Sequence, residues 1–74
     1  MRVRIEVPEL CAELCEFLSG RGCLAVEAGP GIAEVTIPAA PSSFEATITL
    51  LADLDLWRAK HPFARATLQP GPLV

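Results

Sequence analysis

The chain of 74 residues is 51% hydrophobic, contains only four aromatic residues and has a net charge of −3. A chain this short buries only about 60% of the surface that it exposes when unfolded, so we predict one domain with an aliphatic core over residues 1–69, followed by a tail over residues 70–74. The six basic residues are dispersed, no apolar run approaches the roughly 20 residues of a membrane span and residues 1–7 do not resemble a secretion signal, so we expect a cytoplasmic protein with neither nucleic acid nor membrane as partner.

The first two predicted elements are a strand and a helix. Residues 2–7 alternate between polar and apolar side chains, which is the period of a strand with one wet face and one buried face. Pro8 ends this strand and suits the first turn of a helix, and Gly20 is expected to end that helix in the left-handed conformation. The apolar residues of the predicted helix follow at helical spacing: Leu10, Cys11, Leu14, Cys15 and Leu18.

A hairpin is predicted next. Residues 23–28 and residues 32–37 both alternate, and the Gly29-Pro30-Gly31 sequence between them is typical of a tight turn. We expect one set of side chains of the first of these strands on the buried face: Leu24, Val26 and Ala28. The other set is Cys23, Ala25 and Glu27, of which Ala25 and Glu27 are expected on the exposed face.

The second predicted helix spans residues 44–60, and a short last strand spans residues 64–69. Ser42 stands three residues before Glu45, as in a capping box, and should begin this helix. The His61-Pro62 pair should end it, because the residue before a proline disfavours helical backbone angles.

The second helix has an apolar side and a polar side in this interpretation. Asp53 is expected on the polar, solvated side, and Asp55 and Arg58 at the border are spaced to form an ion pair. The apolar side is expected to hold six residues: Phe44, Ile48, Leu50, Leu51, Leu54 and Trp57.

The order strand, helix, strand, strand, helix, strand has one common compact arrangement. We predict an α+β fold, the ferredoxin-like β-α-β-β-α-β two-layer sandwich, in which a four-stranded antiparallel sheet carries both helices on one face. The other face of the sheet is expected to carry mostly polar side chains: Arg2, Arg4, Glu6, Ala25, Glu27, Glu34, Thr36, Arg65, Thr67 and Gln69.

Three groups of proteins that share this layout have signature residues that the chain lacks. Heavy-metal-associated domains carry Cys-x-x-Cys between the first strand and the first helix, and amino-acid-binding ACT domains have a glycine there, whereas this chain has Val7-Pro8-Glu9. RNA-recognition modules stack bases on aromatic residues of the first and third strands, where this chain has residues such as Arg4 and Thr36. The resemblance is therefore to an architecture, which does not determine a function.

Cys11, Cys15 and Cys23 are the candidates for a metal or redox site. Cys11 and Cys15 lie four residues apart on the predicted helix, so their thiols point in one direction, and Cys23 is near them if the second strand begins beside that helix. The two helical positions also coincide with the buried stripe, where free cysteine is common, and a zinc site needs a fourth ligand. We expect three reduced core thiols with no cofactor or metal, and we retain a thiol- or metal-dependent function as the alternative.

His61, the only histidine, is the candidate for proton transfer. Together with Asp55 it defines a further alternative, a small enzyme whose cleft forms on dimerisation. No motif places a serine or cysteine nucleophile beside these residues, and an imidazole at a helix end is commonly a cap. We therefore expect no catalytic residues.

The leading prediction is a small non-enzymatic binding or regulatory domain that self-associates as a homodimer or binds a protein partner. The mean hydropathy of +0.41 is high for so short a chain, so a monomer leaves apolar area in contact with water. The expected contact is an exposed strand edge, the open face of the sheet around Ala25, or the rim of the second helix near Leu56 and Trp57.

Overall fold

Six strands and helices follow one another along residues 1–69, which are the residues that the computed structural model describes. In chain order they are β1 (Arg2–Ile5), α1 (Cys11–Gly20), β2 (Leu24–Gly29), β3 (Ile32–Thr36), α2 (Ser43–Lys60) and β4 (Ala66–Gln69). A turn of 3-10 helix at Pro8–Leu10 precedes α1, with the proline at its first position, where the missing N–H costs nothing. The predicted order and type of the elements are confirmed, and the predicted tail at residues 70–74 lies outside the described residues.

The four strands form one antiparallel sheet in the order β2-β3-β1-β4. β1 lies inside the sheet, where Val3 is opposite Ala33 on one side and opposite Leu68 on the other. The N-terminal amino group extends this contact by donating to the carbonyl of Val35 at 2.7 Å. α1 connects β1 to β2 and α2 connects β3 to β4, so the fold is α+β with a four-stranded antiparallel sheet and two helices.

One hydrophobic core joins the helices to the sheet. Trp57 is its largest fully buried side chain, although the sequence pattern places this residue at the rim of α2. Burial of each large aliphatic or aromatic side chain contributes about 1.5–3 kcal/mol to the free energy of unfolding. The core draws on α1, α2 and three strands: Val3, Ile5, Cys11, Leu14, Cys15, Leu18, Cys23, Ala33, Val35, Leu50, Leu54, Trp57, Ala64 and Ala66.

The predicted assignment of β2 to the two faces of the sheet is wrong. Leu24 and Val26 are 63% and 64% exposed, whereas Cys23 is buried and Ala25 packs against the core. The register agrees, because Ala25 is opposite the buried Val35 and therefore shares its face. The side chains of β2 alternate between two sets that are both largely apolar, so the alternation alone does not distinguish the buried set, and a shift of one residue exchanges the faces.

The predicted apolar side of α2 is wrong in part. Leu50, Leu54 and Trp57 are buried as expected, but the polar side was placed incorrectly, because Asp53 is only 4% exposed. Three residues expected in the core are exposed instead: Phe44, Ile48 and Leu51. Apolar residues occur on more than one side of this helix, so its hydrophobic pattern does not determine which side packs on the sheet.

Of the two helix ends predicted from Ser42 and Gly20, the structure confirms the first and contradicts the second. The Ser42 hydroxyl accepts the backbone N–H of Glu45 at 3.2 Å, which confirms the predicted cap of α2. Gly20 does not take the left-handed conformation expected of it. The positive φ of +90° belongs to Gly22, because α1 continues through Gly20 before the chain turns.

The hairpin turn packs against the end of β1 at Gly31. This glycine has φ +71°, its carbonyl accepts the backbone N–H of Ile5 at 2.8 Å, and a Cβ atom added to it would lie 2.6 Å from the carbonyl oxygen of Ile5. Both the backbone angle and the close approach therefore require glycine at this position.

We expect Gly31→Ala to lower the free energy of unfolding by roughly 1–3 kcal/mol or more, because the added methyl group is strained in φ and collides with backbone atoms. Gly20→Ala is the matched control, since its Cβ would meet no atom within 4 Å and its backbone is helical. Urea denaturation of both variants measures the difference. Equal stabilities of the two variants would contradict this account of the turn.

Candidate functional site

The three thiols lie in the core, as the sequence predicts. Cys11, Cys15 and Cys23 are all buried and reduced. Cys11 and Cys15 lie one helical turn apart on α1. Cys23 directly precedes β2 and points to the same side of the sheet as Ala25. Its Sγ lies 4.0 Å from Oδ2 of Asp53.

Burial suppresses the reactivity of these thiols. It raises the pKa of all three, and it raises the pKa of Cys15 from the ordinary 9.0 to about 11, with smaller contributions from Cys11 and from the charge of Glu27. At pH 7 the thiolate fraction of Cys15 is then on the order of one in ten thousand, and the thiolate is the nucleophile and the metal ligand. Within residues 1–69, no group of three or more His, Cys, Asp or Glu side chains is arranged to hold a metal ion.

We expect the stability of the protein to fall as the pH rises from about 9 to 11. An unfolded Cys15 ionises from pH 9, whereas the folded thiol stays neutral until about pH 11, so ionisation favours the unfolded state between these values. The contribution of Cys15 is on the order of 2–3 kcal/mol, fully present below pH 9 and lost by pH 11. Denaturant titrations at several pH values measure it.

Cys15→Ala is the control for this pH dependence. The variant is less stable at pH 7 because it leaves a cavity, but its stability should change less between pH 9 and 11. Cys11 and Cys23, whose pKa burial also raises, supply part of the slope that remains in the variant, while tyrosine is absent from the chain and Lys60 is its only lysine. An unchanged slope in the variant would show that Cys15 is not the group responsible.

An ion pair between an exposed arginine and a buried aspartate connects the end of α1 to the middle of α2. Nε of Arg21 lies 2.5 Å from Oδ1 of Asp53, whose side chain is 6% exposed, while Arg21 is partly exposed. The guanidinium also lies 5.9 Å from the centre of the Phe17 ring, which is within the range of a cation–π contact. The buried carboxylate is thereby neutralised by a cation from the turn between α1 and β2, so its role is structural.

We expect Arg21→Ala to lower the free energy of unfolding by about 1–3 kcal/mol, because it leaves the carboxylate of Asp53 buried without its partner. Arg2→Ala is the matched control. Arg2 pairs with Glu34 at 3.2 Å, but both side chains are exposed, so its loss should cost less than about 1 kcal/mol. Thermal or chemical denaturation compares the two, and losses of equal size would refute the assignment.

His61 closes the C-terminal end of α2 and contacts α1. Its backbone N–H is accepted by the carbonyl of Trp57, and its ring stacks on the indole at a centroid distance of 4.3 Å. Nε2 lies 3.3 Å from a carboxylate oxygen of Glu13. Asp55 pairs instead with Arg58 at 2.5 Å, as its spacing predicts, so the structure does not bring His61 and Asp55 into hydrogen-bond contact.

The three predicted interface residues occupy different environments. Ala25 lies on the covered face of the sheet, so its placement on the open face was wrong. Trp57 is 1% exposed and therefore unable to contact a partner in this conformation, and its Nε1–H has no hydrogen-bond partner within residues 1–69. Leu56 is exposed on α2.

Exposed apolar side chains that sequence reasoning missed form two surfaces. The first, the β2 strip, consists of Leu24 and Val26 on the open face of the sheet. The second, the outer face of α2, consists of Phe44, Ile48 and Leu51. The high mean hydropathy was the signal that such surfaces exist, but it carries no information on their position.

A shallow apolar depression lies where the chain passes from β1 into α1. Val7 and Leu10 line it on one side, and the loop after α2, with His61 and Phe63, lines it on the other, around a volume of about 380 Å³. Phe63 is 91% exposed. The lining offers no buried charged group to orient a polar ligand, so the depression adds apolar surface rather than a chemically specific site.

None of the helices within residues 1–69 combines the length and the apolar character that crossing a membrane requires. Comparisons with protein-family models, with curated proteins and with solved structures find no match to this chain.

Proposed function

We propose that this chain is a small non-enzymatic binding domain that acts by associating with a second copy of itself. The observation that carries the proposal is the exposure of seven large apolar side chains on a chain of 74 residues. Five of them form the β2 strip and the outer face of α2. Large exposed apolar patches are rare on soluble monomers and commonly mark a site of association. Pairing of two copies removes part of that surface from water without requiring any other molecule.

The polar groups of the described residues support a non-enzymatic role. The most buried carboxylate, that of Asp53, is held by Arg21, and the thiols are protonated at neutral pH. His61 is engaged with Trp57 and Glu13. The buried carboxylate, the thiols and the histidine, which are the groups best suited to general acid–base or nucleophilic chemistry, therefore already contribute to the packing of the described residues.

We also propose that the fold is the ferredoxin-like β-α-β-β-α-β sandwich with both helices on one face of the sheet. The strand order β2-β3-β1-β4, with a helix after β1 and another after β3, supports this assignment. A shared core supports it further, since Leu14 of α1 and Leu54 of α2 pack in the same cluster as Val3 of β1. In such a sandwich the second face of the sheet is open to a partner.

Self-association should be visible as a mass that depends on concentration. We expect light scattering or sedimentation between about 1 and 100 μM, the range in which a dimer of micromolar affinity forms, to show a change from the monomer mass of 7.9 kDa towards twice that value. A reducing agent in every sample excludes dimers joined by disulfides.

A mass of 7.9 kDa at every concentration would contradict the proposal. In that case the exposed apolar surfaces would have to serve a different protein as partner. A salt series provides a control, because association driven by apolar burial is not weakened when sodium chloride is added, whereas association between charged surfaces is.

A further inference from the structure

We infer that the second copy binds along the outer edge of β2, so that the two sheets join into one eight-stranded antiparallel sheet around a twofold axis at Ala25. The inference rests on the proposed self-association and names the surface and the register through which it occurs. It is supported by the length of the outer edge of β2, by the positions of its apolar side chains and by the distribution of charge along it.

The two edges of the sheet differ in how well they are guarded. β4 has four residues, and the carbonyl of Ala66 within it accepts a hydrogen bond from the guanidinium of Arg58 at 3.1 Å. β2 has six residues and contains neither proline nor lysine, two residues that commonly protect an edge. Its one irregularity lies at its end, between Glu27 and Gly29, so residues 24–27 pair regularly. Within residues 1–69, the hydrogen bonds made by side chains do not reach the backbone of β2, so its outer N–H and C=O groups have no side-chain partner.

Symmetry restricts the pairing of β2 with its copy to a few registers. A twofold axis perpendicular to the sheet keeps each side chain on its own face and places one residue opposite itself. An axis at Glu27 would oppose two like charges, which is destabilising. An axis at Val26 would place Leu24 opposite the small Ala28, whereas an axis at Ala25 places Leu24 opposite Val26 twice.

The register centred on Ala25 covers the apolar surface best. Leu24 and Val26, each more than 60% exposed, then meet as two cross-strand pairs on the open face. On the covered face, Glu27 is opposite Cys23 of the other copy rather than another carboxylate. Val35 exchanges both of its backbone hydrogen bonds with Met1, so the N–H and C=O of Ala25 opposite it point to the outer edge, where they can bond to Ala25 of the other copy.

The side of α1 that would meet the second copy carries small side chains next to one carboxylate. α1 packs mainly on β2 and α2 on β4, so the side of α1 turned away from α2 lies above the β2 edge. Glu13 and Phe17 mark the side turned towards α2, through His61 and Arg21. The opposite side carries the small, exposed residues Ala12 and Ser19, whereas Cys15 belongs to the core. Glu16 is exposed and lies next to both at helical spacing, so the second copy of α1 has to approach over the small residues and leave this carboxylate in water.

Cysteine cross-linking tests the register. Leu24→Cys and Val26→Cys are made as separate variants and oxidised with copper phenanthroline, alone and as an equimolar mixture. Side chains directly opposite each other have Cβ atoms about 4.5–5.5 Å apart, near the spacing that a disulfide bridges. We expect the mixture to give at least about tenfold more cross-linked dimer than either variant alone, because only the mixture places two cysteines opposite each other.

Two controls separate this inference from the proposed function. The unsubstituted protein, with its buried native thiols, should not cross-link, and neither should a mixture of Phe44→Cys and Ile48→Cys on the outer face of α2. Cross-linking by Val26→Cys alone, or by the α2 mixture, would overturn the register or the surface while leaving self-association intact. A dimer by light scattering that none of the cysteine mixtures cross-links would also overturn the β2 edge, and a strict monomer would overturn both.

Discussion

A buried carboxylate determines how the two layers of this protein meet. Asp53 lies in the middle of α2 and is almost completely removed from water, which is tolerated only if another group compensates the lost hydration. Arg21 supplies that compensation at 2.5 Å, and the thiol of Cys23 lies beside the second carboxylate oxygen. Arg21 and Cys23 both belong to the short turn between α1 and β2. Their contacts with Asp53 therefore couple the rotation of α2 about its axis to the choice of which face of β2 packs against the core.

The surfaces available for binding follow from this constraint. With Asp53 turned inward, Phe44 and Ile48 on the opposite side of α2 are left in water, and with Cys23 turned inward, Leu24 and Val26 lie on the open face of the sheet. A short chain has too little surface to cover both regions. The Arg21–Asp53 ion pair therefore fixes which apolar side chains stay exposed. Those of β2 that do not enter the core are the ones that a second copy can bury.

The burial of the three thiols changes the interpretation of the cysteine spacing. Two cysteines four residues apart on a helix, with a third on the next strand, are compatible with metal or redox chemistry when only their spacing is known. Their burial raises the pKa of each, so the thiolate that such chemistry needs is scarce at neutral pH. Cys11 and Cys15 fill the space beneath α1, while Cys23 supports the carboxylate of Asp53.

The sequence by itself determined the features that depend on neighbouring residues: the alternation of β1, the spacing of α1, the glycine-rich turn and the Ser42 cap of α2. The rotation of α2, the face of β2 and hence the candidate interface were decided only by the tertiary structure. Both segments carry apolar side chains on more than one side, so their local patterns fit two placements equally well. The choice between these placements depends on Arg21 and Asp53, which are 32 positions apart in the sequence. A carboxylate is stable in the protein interior only if the folded chain places a cation beside it.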